Sequence, residues 1–338
     1  MQAKRKTGMT LGKYAPFHAG HKFVIDTALA ETDHVIVMSY DEPEVTPVPL
    51  PVRSGWIREI YKNNPKLEVV DCYGGPKEMG YTPEIIAMHD EFILRIVGDR
   101  SITHFYSSEH YGDHVSKALG AVDRRVDMER IVYPISATMV RRDAYGNVIY
   151  IPDVVYRDLI TKVVFLGSES TGKTTIAKAL AERFNTEVMP EYGAEYWLEN
   201  QRDGVLTPDQ MVEIARGHIE RENEKVLKSN NYCFIDTNAI TTYMFAQDYH
   251  GYALPELQQM AHNCYSRYDV VFLCEDDIPY DDTWDRRVAE NRVIFQKKIV
   301  DDLVERKIPF IRLHGNIQER MAKVEQVLSQ YAKWNYRY

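Results

Sequence analysis

Two short stretches of the chain hold residues suited to gripping phosphate. In Gly12-Lys13-Tyr14-Ala15-Pro16-Phe17-His18-Ala19-Gly20-His21, two imidazoles stand among glycines and a proline, just after Met9 to Leu11, which reads as the end of a strand. Gly12 permits a tight turn or a close approach to an anion, Pro16 stiffens the turn, and Gly20 lets backbone pass near a ligand. A helix starting at or just before His21 sets both imidazoles at its N-terminus, where free N–H groups and the dipole favour anions. The second stretch is Gly167-Ser168-Glu169-Ser170-Thr171-Gly172-Lys173-Thr174, which fits GxxxxGK(S/T). The apolar segment Lys162 to Leu166 precedes it, and Thr175 to Arg183 follows as a helix. In such a loop backbone N–H groups cradle phosphates, Lys173 reaches the β and γ groups, and Thr174 can ligate Mg²⁺.

Carboxylates beside the second loop complete a phosphoryl-transfer set. Asp236 ends the strand Tyr232 to Ile235, and Glu191 follows the strand Glu187 to Met189. Both strands are expected beside that of the loop, with Asp236 near Mg²⁺ and its waters and Glu191 near an acceptor hydroxyl. Either acid can serve as the base. Arg286, Arg287 and Arg292 around Trp284 form either a cationic lid or a solvated face. His110 and His114 are four apart, but Gly112 interrupts them and no third ligand is apparent, so a zinc site is not expected.

The elements that position these groups alternate. Up to about residue 150, strands at Val35 to Ser39, Leu67 to Val70, Thr103 to Tyr106 and Ile131 to Ile135 are interleaved with helices at His21 to Ala30 and Glu84 to Val97. Asp41 to Pro51, with four prolines, reads as a crossover loop. A second series has strands at 162–166, 187–189, 232–235, 270–274 and 310–313, with a long helix from Pro208 capped by Thr207. The pattern predicts an α/β chain with mainly parallel sheets and two domains, 1–155 and 160–338.

Lys and Arg total 41 against 50 Asp and Glu, a formal charge of −9. That balance disfavours a protein that coats nucleic acid or acidic lipid. Cys72, Cys233, Cys264 and Cys274 form no CxxC pair and suggest buried thiols rather than disulfides. Neither a signal peptide nor a membrane span is visible, so a cytoplasmic location is expected.

The first stretch resembles the GxFxPxHxGH signature of the HxGH nucleotidyltransferase superfamily, with Tyr14 in the phenylalanine position. Ile135-Ser136-Ala137-Thr138-Met139-Val140-Arg141 matches its companion, ISxTxxR, at the end of an expected strand. The resemblance implies a Rossmann-like domain in which Gly12, Lys13, Tyr14, His18 and His21 meet ATP and Ser136, Thr138 and Arg141 hold its triphosphate. Such a domain followed by a P-loop NTPase kinase-like domain resembles the bifunctional NadR family. Leu50-Pro-Val-Arg53-Ser-Gly-Trp56-Ile-Arg58, Tyr106-Ser-Ser-Glu109, Glu191-Tyr192, Ile235-Asp236-Thr237-Asn238 and Thr241-Thr242 extend the likeness along nearly the whole chain.

That resemblance implies two ATP- and Mg²⁺-dependent activities. One phosphorylates nicotinamide riboside to the mononucleotide (NMN); the other joins NMN to the adenylyl group of ATP. It puts Arg53, Trp56 and Arg58 near the nicotinamide nucleotide and Tyr192 at the kinase substrate, although an amphipathic helix alone also explains Trp56. NAD is a candidate feedback ligand and a homo-oligomer is permitted. With Gly12 so close to the start there is no room for a helix-turn-helix, so specific DNA binding is not expected. Ala194 replaces a frequent arginine, and Asn238 a frequent aspartate. Two other readings stand beside this one: a P-loop domain that senses nucleotide without turnover, and a sulfurylase–kinase fusion, for which the first half is short.

Overall fold

Two five-stranded parallel sheets organise the chain in a computed structural model, which describes residues 5–78, 80–201, 206–278 and 289–334. Trp284, Arg286 and Arg287 lie outside the described residues. The contacts divide the chain into two units, one running to Tyr156 and the other spanning Arg157–Lys333.

The first unit runs β1 (Thr7–Gly12), α1 (Ala19–Glu31), β2 (His34–Tyr40), α2 (Leu50–Ile60), β3 (Leu67–Cys72), α3 (Pro83–Val97), β4 (His104–Ser107), α4 (Gly112–Leu119), β5 (Val122–Arg125) and α5 (Ala137–Arg142). Its strand order is β3-β2-β1-β4-β5. The order reverses between β1 and β4, and in such sheets ligands bind outside the carboxyl ends of the strands at that reversal. Met9, Ile36, Met38, Phe92, Ile93 and Phe105 are buried together and anchor β1 beneath the turn that carries His18.

Two expectations change here. Ile131 to Ile135 is not a strand: β5 lies earlier, and Ile131 is 81% exposed. The reason is Asp127, whose carboxylate accepts the N–H groups of Ile131, Val132 and Tyr133 at 2.8, 3.1 and 3.0 Å. Donors used by a side chain are lost to a strand ladder. The proline-rich loop ends sooner than expected, because α2 starts at Leu50 and takes Pro51 into its first turn, where a missing N–H does no harm.

After α6 (Asp153–Leu159) comes the second series: β6 (Thr161–Leu166), α7 (Lys173–Arg183), β7 (Val188–Met189), α8 (Tyr192–Asn200), α9 (Pro208–Val226), β8 (Tyr232–Asp236), α10 (Ala239–His250), α11 (Pro255–Arg267), β9 (Val270–Cys274), α12 (Ala289–Glu305), β10 (Ile311–Leu313) and α13 (Ile317–Gln330). The order is β10-β9-β6-β8-β7. β6 is therefore flanked by β8 and β9, and β7, the strand before Glu191, pairs with β8 instead of β6. Alternation of elements does not encode strand order, so this neighbour was misplaced from sequence.

Central strands buried on both faces need apolar residues at successive positions. All five residues of β9 are buried. Phe165 stacks on Phe272 at 5.7 Å and lies 6.2 Å from Phe234, tying β6 to both neighbours. α9 starts with a capping box in which Thr207 and Gln210 bond each other's backbone, with Pro208 in the first turn. All four cysteines are buried and unpaired. Among the described residues no helix is long and apolar enough to cross a membrane.

A unit with its own sheet and core should fold alone. The fragment from Thr161 to Tyr338 is expected to melt cooperatively and to gain stability from ATP with Mg²⁺ through linkage. A fragment that scanning calorimetry shows melting without a cooperative transition contradicts this.

Candidate functional site

His18 caps α1, its Nδ1 accepting the Gly20 N–H at 3.1 Å. Its ring stacks on His21 with centroids 3.7 Å apart, and Tyr14 meets His21 edge-on at 5.1 Å. A Cβ on Gly20 would lie 3.1 Å from His18 Cε1, so glycine there makes room for the imidazole itself. Burial, then the charge of Arg130, pushes His18 down to about 4. Burial, then His18 and Arg130, holds His21 well below the ordinary value. Both rings are neutral at pH 7. Because His18 Nδ1 accepts, its proton sits on Nε2, leaving an uncharged donor.

The companion segment is next to this turn. Arg141 donates to the carbonyl of Ala15 and, at 3.0 Å, to Thr138 Oγ1. Ser136 caps α5 by accepting from Met139 N at 3.3 Å. Lys13 pairs with Glu42 at 3.3 Å, and Gly12 ends β1. Arg130 was not picked out from sequence. It stands in the turn that Asp127 closes, is bonded to Glu109 at 3.3 Å, and its charge reaches both imidazoles.

The residues expected at the nicotinamide nucleotide take different positions on α2. Arg53 is 1% exposed and donates to the carbonyls of Val48 (2.9 Å), Tyr40 (2.8 Å) and Lys13. Its guanidinium is framework, joining the ends of β1 and β2 to the proline-rich loop. Trp56 is equally buried, and Arg58 reaches Asp71 on β3 at 2.8 Å. Of the two histidines weighed for a metal, His114 is bonded to Asp90 at 2.7 Å.

In the second unit the phosphate loop leaves the carboxyl end of β6. Gly167 has φ 146°, and a Cβ there would come within 2.6 Å of the Cys274 carbonyl. Gly172, at φ 81°, caps α7. Lys173 donates to Ser168 O at 2.8 Å, and Thr171 closes the same carbonyl at 2.8 Å. Thr174 Oγ1 donates to Asp236 Oδ2 at 2.5 Å. Asp236 Oδ1 is buried and has no hydrogen-bond partner among the described residues. Burial pushes this carboxyl up, opposed by Lys173 and by the Thr174 hydrogen bond. A hydroxyl and an orphaned carboxylate oxygen are the hard donors a small divalent cation takes, so these residues fit such an ion.

A cavity of about 860 Å³ opens beside the loop, lined by Glu169, Ser170, Thr175, Glu191, Ala194, Trp197 and His218 among others. It brings Glu191 and the phosphate loop to one space. Tyr192 is packed on α9: the Arg221 guanidinium lies 3.9 Å from its ring centroid, and a Cβ on Gly217 would sit 2.4 Å from its Cε1. Asn238 caps α10 by accepting from Ile240 N at 3.0 Å, a task aspartate performs equally well. Arg292 bonds Ile278 O at 3.1 Å and Ser170 O at 3.4 Å, so it belongs to the loop's surroundings.

Sequence reasoning missed Arg320, Gln296 and His218. Arg320 is 2% exposed and donates to Thr171 O (2.6 Å), Gly315 O (2.9 Å) and Glu275 O (3.0 Å). Gln296 accepts from Ser168 N at 2.8 Å and donates to Cys274 O at 3.0 Å. Both sit on helices where a polar residue reads as solvated; only tertiary contact shows otherwise.

Comparison with known proteins agrees with this layout. A Cytidylyltransferase-like family matches residues 9–143 and an AAA domain family matches residues 162–320. The trifunctional NAD biosynthesis/regulator proteins NadR of Escherichia coli K12 and Salmonella typhimurium LT2 are each 27% identical, over 92% of this chain and 79% of theirs. The phosphopantetheine adenylyltransferase of Bacteroides thetaiotaomicron is 29% identical over 38% of this chain and 82% of its own. Among solved structures, a NadR protein in complex with NAD and AMP-PNP aligns with TM-score 0.57 at 21% identity, covering 96% of both chains. A NadR protein in complex with NR aligns with the same score at 23% identity, covering 97% of this chain and 96% of that one. These two establish the fold.

Neutral imidazoles make stability depend on pH. An unfolded His18 takes a proton near pH 6.5 and the folded one only near 4. Stability therefore falls as pH drops through that window, by up to about 3 kcal/mol from this group. His18→Asn keeps a capping side chain and should lose that component. Urea unfolding at pH 7 and pH 4 measures it; the same pH dependence in parent and H18N contradicts the assignment.

Proposed function

The chain belongs to the NadR-type family, and on that premise we propose a bifunctional enzyme of nicotinamide nucleotide salvage. The second unit would phosphorylate nicotinamide riboside to NMN with ATP, and the first would transfer the adenylyl group of ATP to NMN, giving NAD and pyrophosphate. One observation carries this reading: a single chain holds two phosphate cradles, the neutral histidine pair with Arg141 and the loop with Thr174 on Asp236.

For adenylyl transfer, a phosphate oxygen of NMN forms a bond to the α-phosphorus as the bond to the β-phosphate oxygen breaks. No protein nucleophile is required, so the site positions reactants and stabilises charge. His18 would donate from Nε2 to a phosphate oxygen without bringing a charge of its own. Arg141, fixed by Ala15 and Thr138, and nearby Arg130 supply the positive charge.

For riboside phosphorylation, the 5′-hydroxyl oxygen bonds to the γ-phosphorus, its proton leaves, and ADP departs. Thr174 and Asp236 would hold Mg²⁺, which neutralises phosphate charge. Lys173 would exchange its contact with Ser168 O for phosphate oxygens. Glu191, at the start of α8 and on the same cavity, would orient the hydroxyl and take its proton. Cytoplasmic placement belongs to the same reading.

The test is incubation of the purified chain with ATP, Mg²⁺ and either riboside or NMN, with products identified by mass. NMN from the riboside and NAD from NMN are expected; absence of both refutes the proposal. His21→Ala should lower NAD formation ~100-fold while riboside phosphorylation stays near parental. Parental NAD formation by H21A removes the histidine assignment. Glu191→Gln should keep ATP affinity within about threefold and lose ~10² to 10⁴ in turnover. If E191Q turns over normally while Asp236→Asn does not, Asp236 is the base.

A further inference from the structure

Met211, Ile214 and His218 recur at helical spacing along α9, and all three line the cavity beside the phosphate loop. His218 is the polar member. It is 4% exposed, with the Thr237 backbone beside its ring. Its Nε2 is buried and has no partner among the described residues. Burial, then the charges of Arg267 and Arg221, pushes the ring down to about 4, so it is neutral at working pH. With the proton on Nδ1, a neutral imidazole offers this orphaned Nε2 as an acceptor. A buried acceptor on a cavity face calls for a donor from whatever fills the cavity.

Position narrows what that donor is. Thr237, which lines the same cavity as His218, directly follows Asp236, and Asp236 meets Thr174 on the loop at 2.5 Å. His218 thus shares the cavity with the end where phosphoryl transfer would occur. The part of a nucleoside nearest its phosphorylated 5′ position is the sugar. A carboxylate or phosphate would bring only lone pairs to Nε2.

We propose that His218 accepts a hydrogen bond from a secondary sugar hydroxyl of the acceptor nucleoside, selecting ribosides over deoxyribosides. The inference rests on the kinase reading above and adds the sugar class that the site takes. A site built to bond a hydroxyl rejects the analogue lacking it, because its own polar group is then left unpaired.

The experiment compares kcat/KM for nicotinamide riboside and its 2′-deoxy and 3′-deoxy analogues in the full chain, with ATP saturating. The parent should prefer the riboside to at least one analogue by about 10- to 100-fold. His218→Leu should bring that ratio within about threefold by losing the riboside's advantage, with the KM for ATP little changed. His218→Gln, whose amide oxygen accepts, should recover part of the preference. Unchanged discrimination in H218L overturns the proposal. So does a parent that uses all three substrates within threefold, a result independent of whether any variant folds. A parent that phosphorylates none of them refutes the kinase reading itself.

Discussion

A loop that turns its N–H groups toward an anion turns its carbonyls inward, and those carbonyls need donors within the protein. In each unit a buried guanidinium meets part of that need and ties the loop to neighbouring segments. Arg320 serves Thr171, Gly315 and Glu275, while Arg53 serves Lys13, Tyr40 and Val48. Leaving one such carbonyl unpaired costs about 1 to 3 kcal/mol, and three approach the ~5 to 15 kcal/mol that holds a whole domain folded. Each arginine in turn stays buried because its planar fork finds several acceptors at once. The phosphate cradle and the cation behind it are one construction.

The two cradles treat charge differently. Around His18 and His21, burial and Arg130 strip the imidazoles of protons, so the positive field comes from arginines and the histidines contribute direction. Around Lys173 the charged group is the lysine, and the acid beside it, Asp236, is held in a site that disfavours its ionisation. Lys173 and the Thr174 hydroxyl oppose that penalty.

Much of this was legible in the sequence where backbone geometry demands a residue type. Gly167 and Gly172 sit at left-handed or crowded positions, which is why the loop pattern is so specific. His18 and Gly20 are coupled by direct contact, so their spacing also survives as a motif. What depends on distant partners was not legible. Arg320 and His218 look like ordinary polar helix residues until the sheet is folded. Asp127 removed a strand by taking three N–H groups with one side chain, and no local apolar pattern records that. The place of β7 beyond β8 is a matter of strand order, on which alternation is silent.

Gly217 has a consequence for how the packing behind the cavity can vary among descendants of this chain. With a Cβ at that position meeting Tyr192 at 2.4 Å, no side chain can be added while the tyrosine ring holds its place. The two positions form a lock-step pair: a smaller residue at 192 must arise before 217 can enlarge, and an enlarged 217 then bars the tyrosine's return. Lineages that drift here would carry the order of events in two codons twenty-five positions apart.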